Sequence, residues 1–235
     1  MAFFVAYDLW VAGADTIALE RDGRMRAIIL ANGIISDYAA CRSHIRPEDT
    51  IICANGGARH ALAMGLHPSL IVGDLDSFPA DQRARLETTG TRFLAYPARK
   101  DQTDLELALQ AAQQAGATWI RVIGALGGRL DQTIANLLLL SRDEWADITL
   151  SLSDGPETAW VVRTRIEITG RAGDLVSLIA LTPEVCGIDT EGLEYPLANG
   201  RLTLGSTLGV SNVMLSGQAS VRVRSGTLLV VHRAS

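Results

Sequence analysis

Between about residues 26 and 153, short runs of Ile, Val and Leu alternate with stretches whose apolar positions recur at helical spacing. Residues 26–31, 50–54, 69–72, 92–95, 119–123 and 148–152 read as strands, because unbroken apolar runs suit a sheet covered on both faces. Helices are expected over 58–64, 79–88, 102–115 and 130–140. The third places Leu105, Ala108, Leu109 and Ala112 on one face, with Gly116 as a stop. The fourth ends in four consecutive leucines and is expected to be buried. Strand–helix alternation predicts an α/β domain with a mainly parallel sheet. After the turn-rich break Asp154-Gly155-Pro156-Glu157 the period changes to short alternating segments at 159–162, 165–168, 175–180, 200–204, 219–224 and 227–232. These predict a C-terminal all-β sandwich or partial barrel. The expected domains are therefore 25–153 and 157–235, preceded by an N-terminal extension over 1–24.

Composition narrows the class. Hydrophobic residues make up 48% and charged residues 20% of 235 residues, ordinary globular usage. A net charge of -5 gives no electrostatic footprint for nucleic acid or an anionic membrane. No apolar stretch reaches the length of a membrane span. The first 13 residues are apolar but lack a basic start, and Asp8 interrupts them, so no signal peptide is expected. Cys41, Cys53 and Cys186 are odd in number and without CxxC spacing, which points to a reducing, cytoplasmic setting. Cys53 lies in an apolar run and reads as core. His44, His60, His67 and His232 have no paired spacing and read as surface or core residues.

The candidate chemistry lies in four loops, each after a predicted strand, where open α/β sheets bind ligands. Gly73-Asp74-Leu75-Asp76-Ser77 supplies two hard carboxylates, suited to magnesium shared with phosphates and water. By residue type alone it reads equally as a solvated turn. Lys100-Asp101-Gln102-Thr103-Asp104 opens the third helix, and Asp101 as helix cap is the bland alternative. Asn55-Gly56-Gly57-Ala58 lets backbone N–H groups approach an anion. Gly127-Gly128-Arg129-Leu130-Asp131-Gln132 offers Arg129 as a planar phosphate clamp, with Asp131 as a possible helix cap. Four such loops on one rim point to Mg²⁺-dependent phosphoryl or pyrophosphoryl transfer, with Asp74, Asp76, Asp101 and Asp104 as the acidic cluster. There is no GxxxxGK[ST] loop and no GxSxG elbow.

These motifs, with Leu208-Gly209-Val210-Ser211-Asn212, resemble in order and spacing the thiamine pyrophosphokinase family, over about residues 27–232. The resemblance implies an α/β domain handling ATP, a β-sandwich, and a homodimer with thiamine bound at the subunit interface. It implies transfer of the pyrophosphoryl group of ATP to the thiamine hydroxyl, giving thiamine diphosphate and AMP. Residue by residue, it implies Asp74, Asp76 and Asp101 as magnesium carboxylates, with Asp104 beside them. Asn55, Gly56, Gly57, Lys100, Thr103, Arg129 and Asp131 would face the nucleotide, and Ser211 and Asn212 would contact thiamine. One departure stands out: Asn55 occupies a position where the family commonly has Asp. Two competing readings are a pyrophosphokinase for a hydroxymethyl-pterin and a non-catalytic nucleotide- or thiamine-binding relative.

Overall fold

The computed structural model describes residues 25–76 and 78–235; the expected N-terminal extension and Ser77 of the acidic motif lie outside them. The described residues form two compact units, one of residues 25–31 and 45–120, the other of 32–44 and 121–235.

In the first unit β1 (Met25–Leu30), β2 (Thr50–Ala54), β3 (Leu70–Gly73) and β4 (Arg92–Ala95) lie side by side in that order, all parallel. Ile28, Ile29, Ile52 and Ile71 are fully buried, as expected of strands covered on both faces. Helix α2 (Ala58–Ala63) lies between β2 and β3 and α3 (Ala80–Thr88) between β3 and β4, while α4 (Asp104–Gln114) follows β4 and packs against β1, β2 and β3 through its apolar stripe. Parallel neighbours in this order place the carboxyl ends of β2 and β3 beside each other, since Ala54 pairs with Val72. Strand β5 (Ala117–Ile123) carries the chain into the second unit.

The second unit contains α1 (Tyr38–Ser43), α5 (Leu130–Leu140) and two antiparallel groups of strands. β6 (Thr149–Ser153), β7 (Glu157–Val162), β14 (Leu228–Arg233), β9 (Leu175–Ala180) and β12 (Asn212–Val213) adjoin in that order. The other sheet runs β11 (Gly200–Thr203), β10 (Glu184–Glu191), β13 (Gln218–Arg222), β8 (Arg165–Thr169). Val176, Leu178, Leu228 and Val230 from the first sheet share one core with Ile168, Val185, Ile188, Leu202 and Val221 from the second. That shared core is the expected sandwich. Among the described residues no helix is long and apolar enough to cross a membrane.

Some expectations need correction. Helix α5 is not buried: only Asn136 and Leu140 are, while Leu130, Ile134 and Leu138 form an exposed stripe at i, i+4, i+8. Strand β10 was not expected, because Gly187 interrupts its alternation at a register shift between Cys186 and Ile188. Helix α1 also escapes the pattern. It buries only Cys41 and is held at its start by Asp37, whose Oδ1 accepts from the Ala40 N–H at 2.8 Å. Cys53 is buried as expected, and burial pushes its thiol pKa up.

Candidate functional site

The first unit brings part of the acidic cluster together at the ends of β2 and β3. Asn55 follows β2 and opens a 3₁₀ turn, Asn55–Gly57, with φ of 47°. Asn tolerates this left-handed conformation better than most residues. Gly73 ends β3 directly alongside. A Cβ on Gly73 would lie 2.7 Å from Asn55 Cβ and 3.2 Å from its Cα, so only glycine lets the two strand ends close.

The Asn55 amide donates to Asp74 Oδ1 at 2.9 Å and to Asp104 Oδ2 at 3.1 Å. Lys100, in the loop four residues before Asp104, places its Nζ 2.8 Å from Asp104 Oδ1, with both side chains partly buried. Asp74 and Asp104 thus meet at one amide although 30 residues separate them in sequence. Asp76 and Asp101 are exposed. Leu75 between the two acidic residues of the motif has φ of 58° and is buried. A bulky residue in that region carries strain of about 1–3 kcal/mol, held here by the burial of its side chain. The sequence offered no sign of this strain.

The cap at the start of α4 is Thr103, not Asp101: its hydroxyl accepts from the Glu106 N–H at 3.2 Å. Asp104 stands in the first turn, where the helix dipole favours a carboxylate. Asp101 is therefore released from the structural role that the sequence allowed it. Among the described residues no three His, Cys, Asp or Glu side chains are gathered into a ready-made metal cage. The donor set still fits magnesium, which takes one or two carboxylates and leaves its other positions to phosphates and water. Asp74 and the exposed Asp76, both acceptor-only oxygens at a strand's carboxyl end, meet that requirement.

The second unit carries the other candidates. Arg129 and Asp131 pair through two bonds, Nε to Oδ1 at 3.1 Å and Nη2 to Oδ2 at 2.5 Å. Both are exposed; their hydrogen bond raises the arginine pKa and lowers that of the aspartate. Arg129, whose side chain makes no cap, takes the cap position of α5, so Asp131 is a first-turn residue. Ser211 is exposed with φ of 61°, and its N–H donates to Ser177 Oγ at 3.0 Å. Asn212 is buried and spends its amide on backbone: Oδ1 accepts from the N–H groups of Tyr195 and Val213, and Nδ2 donates to Tyr195 O at 2.7 Å. Asn212 therefore fixes the segment that presents Ser211.

The sequence did not single out Asp174. Its buried carboxylate accepts from the Arg171 N–H, from His232 Nε2, and from the N–H and hydroxyl of Ser235. Burial alone would push its pKa up. The donors from Ser235, His232 and Arg171 outweigh burial and hold it well below the usual carboxylate range.

Comparison with known proteins identifies the family. Residues 41–150 match the model of the thiamin pyrophosphokinase catalytic domain, and residues 163–228 that of the thiamin pyrophosphokinase vitamin B1 binding domain. Thiamine pyrophosphokinase of Bacillus subtilis is 30% identical over 172 residues, covering 72% of this chain and 80% of the relative. The chain belongs to the thiamine pyrophosphokinase family. Thiamine pyrophosphokinase 1 of Arabidopsis thaliana is 27% identical over 205 residues, 77% of this chain and 76% of the relative. The crystal structure of the Bacillus subtilis thiamine pyrophosphokinase superposes with a TM-score of 0.78 at 26% identity, covering 89% of this chain and 99% of that one. That of Geobacillus thermodenitrificans gives 0.76 at 26% identity, covering 90% and 98%. The fold of this family member is thus shared along nearly the whole chain of both solved relatives.

Proposed function

We propose that this chain is a magnesium-dependent thiamine pyrophosphokinase, transferring the pyrophosphoryl group of ATP to the thiamine hydroxyl and giving thiamine diphosphate and AMP. The observation that carries this reading is the match to both family domains in order, with Asp74 and Asp104 converging at a strand rim. The vitamin B1 binding match over 163–228 favours thiamine over a pterin acceptor.

In this reading residues 25–153 handle the nucleotide and 157–235 bind thiamine. Asp74, Asp76 and Asp101 hold Mg²⁺, which supplies charge neutralisation on the phosphate oxygens. Phosphoryl transfer asks the protein mainly for positioning and electrostatics. Asn55, Gly56 and Gly57 shape the end of β2 toward the nucleotide. Lys100 steadies Asp104, and Thr103 fixes the start of α4 so that both stay in register. Arg129 exchanges its exposed Asp131 partner for a phosphate, which suits a planar fork. A carboxylate of the cluster, Asp101 or Asp104, accepts the proton of the attacking hydroxyl. Ser211 contacts thiamine from the loop that Asn212 anchors. The protein acts in the cytoplasm as a homodimer with its active site at the subunit interface; the exposed apolar stripe Leu130, Ile134, Leu138 supports self-association.

The test is incubation of purified protein with ATP, Mg²⁺ and thiamine. Equimolar thiamine diphosphate and AMP are expected. ADP with thiamine monophosphate would replace the proposal with simple kinase chemistry, and thiamine binding without product would mark a non-catalytic relative.

A further inference from the structure

The Asn55 side chain sits where two carboxylates of different elements point at one group. Asp74 Oδ1 and Asp104 Oδ2 are both acceptors, so the amide must present its NH₂ to them, and each hydrogen serves one carboxylate. Two like charges meeting at one point repel unless something between them is positive or donates. Lys100 offsets only Asp104, from the other side of that carboxylate. The left-handed turn at Asn55 and the bare Cα of Gly73 bring the amide to this position.

We infer that Asn55 is a positioning residue: its neutral amide ties Asp74 to Asp104, so that their geometry is set before any cation or nucleotide arrives. This rests on the proposed function for its relevance to turnover, but the bridge itself can be read without turnover. An aspartate at this position would add a third acceptor-only group and leave no donor between the carboxylates. The site would then hold together only when a divalent cation occupied it. With asparagine, the free protein keeps an assembled site, so a cation adds only the stability that its own binding confers by mass action.

The test compares thermal unfolding of the full-length wild type, Asn55→Asp and Asn55→Ala, in chelator and across a titration of Mg²⁺ alone. The wild type should gain with Mg²⁺ only by mass action, and by less than Asn55→Asp gains. Asn55→Asp should melt lower in chelator and recover as Mg²⁺ rises, whereas Asn55→Ala should melt lower at every concentration. In the double variant Asn55→Asp/Asp74→Asn the amide at position 74 donates to the carboxylate at position 55, which relieves one of the two carboxylate contacts, so it should regain in chelator part of what Asn55→Asp loses. That comparison covers the case in which Asn55→Ala does not fold. Losses that simply add in the double variant, or an Asn55→Asp protein with wild-type stability and Mg²⁺ response, would overturn the inference. If the wild type makes no thiamine diphosphate while the Mg²⁺-dependent recovery of Asn55→Asp holds, the functional reading falls and the bridge stands.

Discussion

Gly73→Ala puts the closeness of the two strand ends to a quantitative test. The new methyl carbon would stand 2.7 Å from Asn55 Cβ, and ordinary contact begins at 3.4 Å, so about 0.7 Å must be found. The obstacle adjoins the Asn55 backbone, so a side-chain rotation cannot supply it. Overpacking of this kind costs ~1–3 kcal/mol. For a protein of this size that corresponds to a fall in Tm of roughly 2–12 °C. The shift also moves the amide on which Asp74 and Asp104 converge. A misplacement of about 1 Å at a reacting centre can cost ~10²-fold, so kcat/KM for thiamine diphosphate formation should fall by about 10- to 100-fold. Gly65→Ala is the control: Gly65 has φ of 65° with nothing within 4 Å of an added Cβ. It should lose ~1–2 kcal/mol from backbone strain and keep its turnover number. If Gly73→Ala matches wild type in both melting and activity, or if the two variants lose activity equally, the reasoning from strand-end packing fails.

Other substitutions separate chemistry from support. Asp101→Asn should leave Tm unchanged, since Thr103 rather than Asp101 caps α4, and should lower kcat sharply in the coupled AMP assay. Arg129→Ala, at an exposed ion pair, should raise KM for ATP several-fold with no change in melting. Asp174→Asn replaces one of two carboxylate oxygens by a donor facing donors. Because the folded pKa is depressed, the wild-type carboxylate stabilises the protein above the ordinary carboxylate range, and that contribution is lost as pH falls through the folded value. The variant should therefore be less stable at neutral pH and less sensitive to acid, as read by unfolding midpoints from about pH 7 down through and below the ordinary carboxylate range. Asn136→Ala removes a buried donor to Ala125 O at 2.9 Å and should cost ~1–3 kcal/mol in urea unfolding, without touching Mg²⁺ dependence.

The α/β half was legible because buried parallel strands write themselves as apolar runs. β2 begins and ends where its run does, and α4 departs from expectation only at its ends. The sandwich was legible as a class but not strand by strand. A glycine bulge hid β10, and β12 is two residues long, too short for any period to register. For the site, spacing along the chain placed Asp74 and Asp104 on the same rim, because both lie at the carboxyl end of the sheet. It could not say that Asn55 joins them, since that contact spans 19 residues to one partner and 49 to the other. Nor could it show that Asn212 faces backbone, or that Leu75 is strained; both follow from long-range packing. The exposed stripe on α5 was misread because four leucines in a row carry no directional information.

The residue after Asn55 is glycine. Asn-Gly is the peptide step at which a side-chain amide is most readily lost, through attack of the following backbone nitrogen and hydrolysis of the resulting cyclic imide. In the folded protein the Asn55 amide is restrained by two carboxylates, which opposes that ring closure. In the unfolded or long-stored chain the restraint is gone. The product would carry aspartate or isoaspartate in place of a donor, converting a bridge into a repulsion. Loss of the Asn55 amide should thus appear as a more acidic species that melts lower in chelator than fresh protein, and peptide mapping should separate it from species altered at the exposed Asn32-Gly33 and Asn199-Gly200 steps.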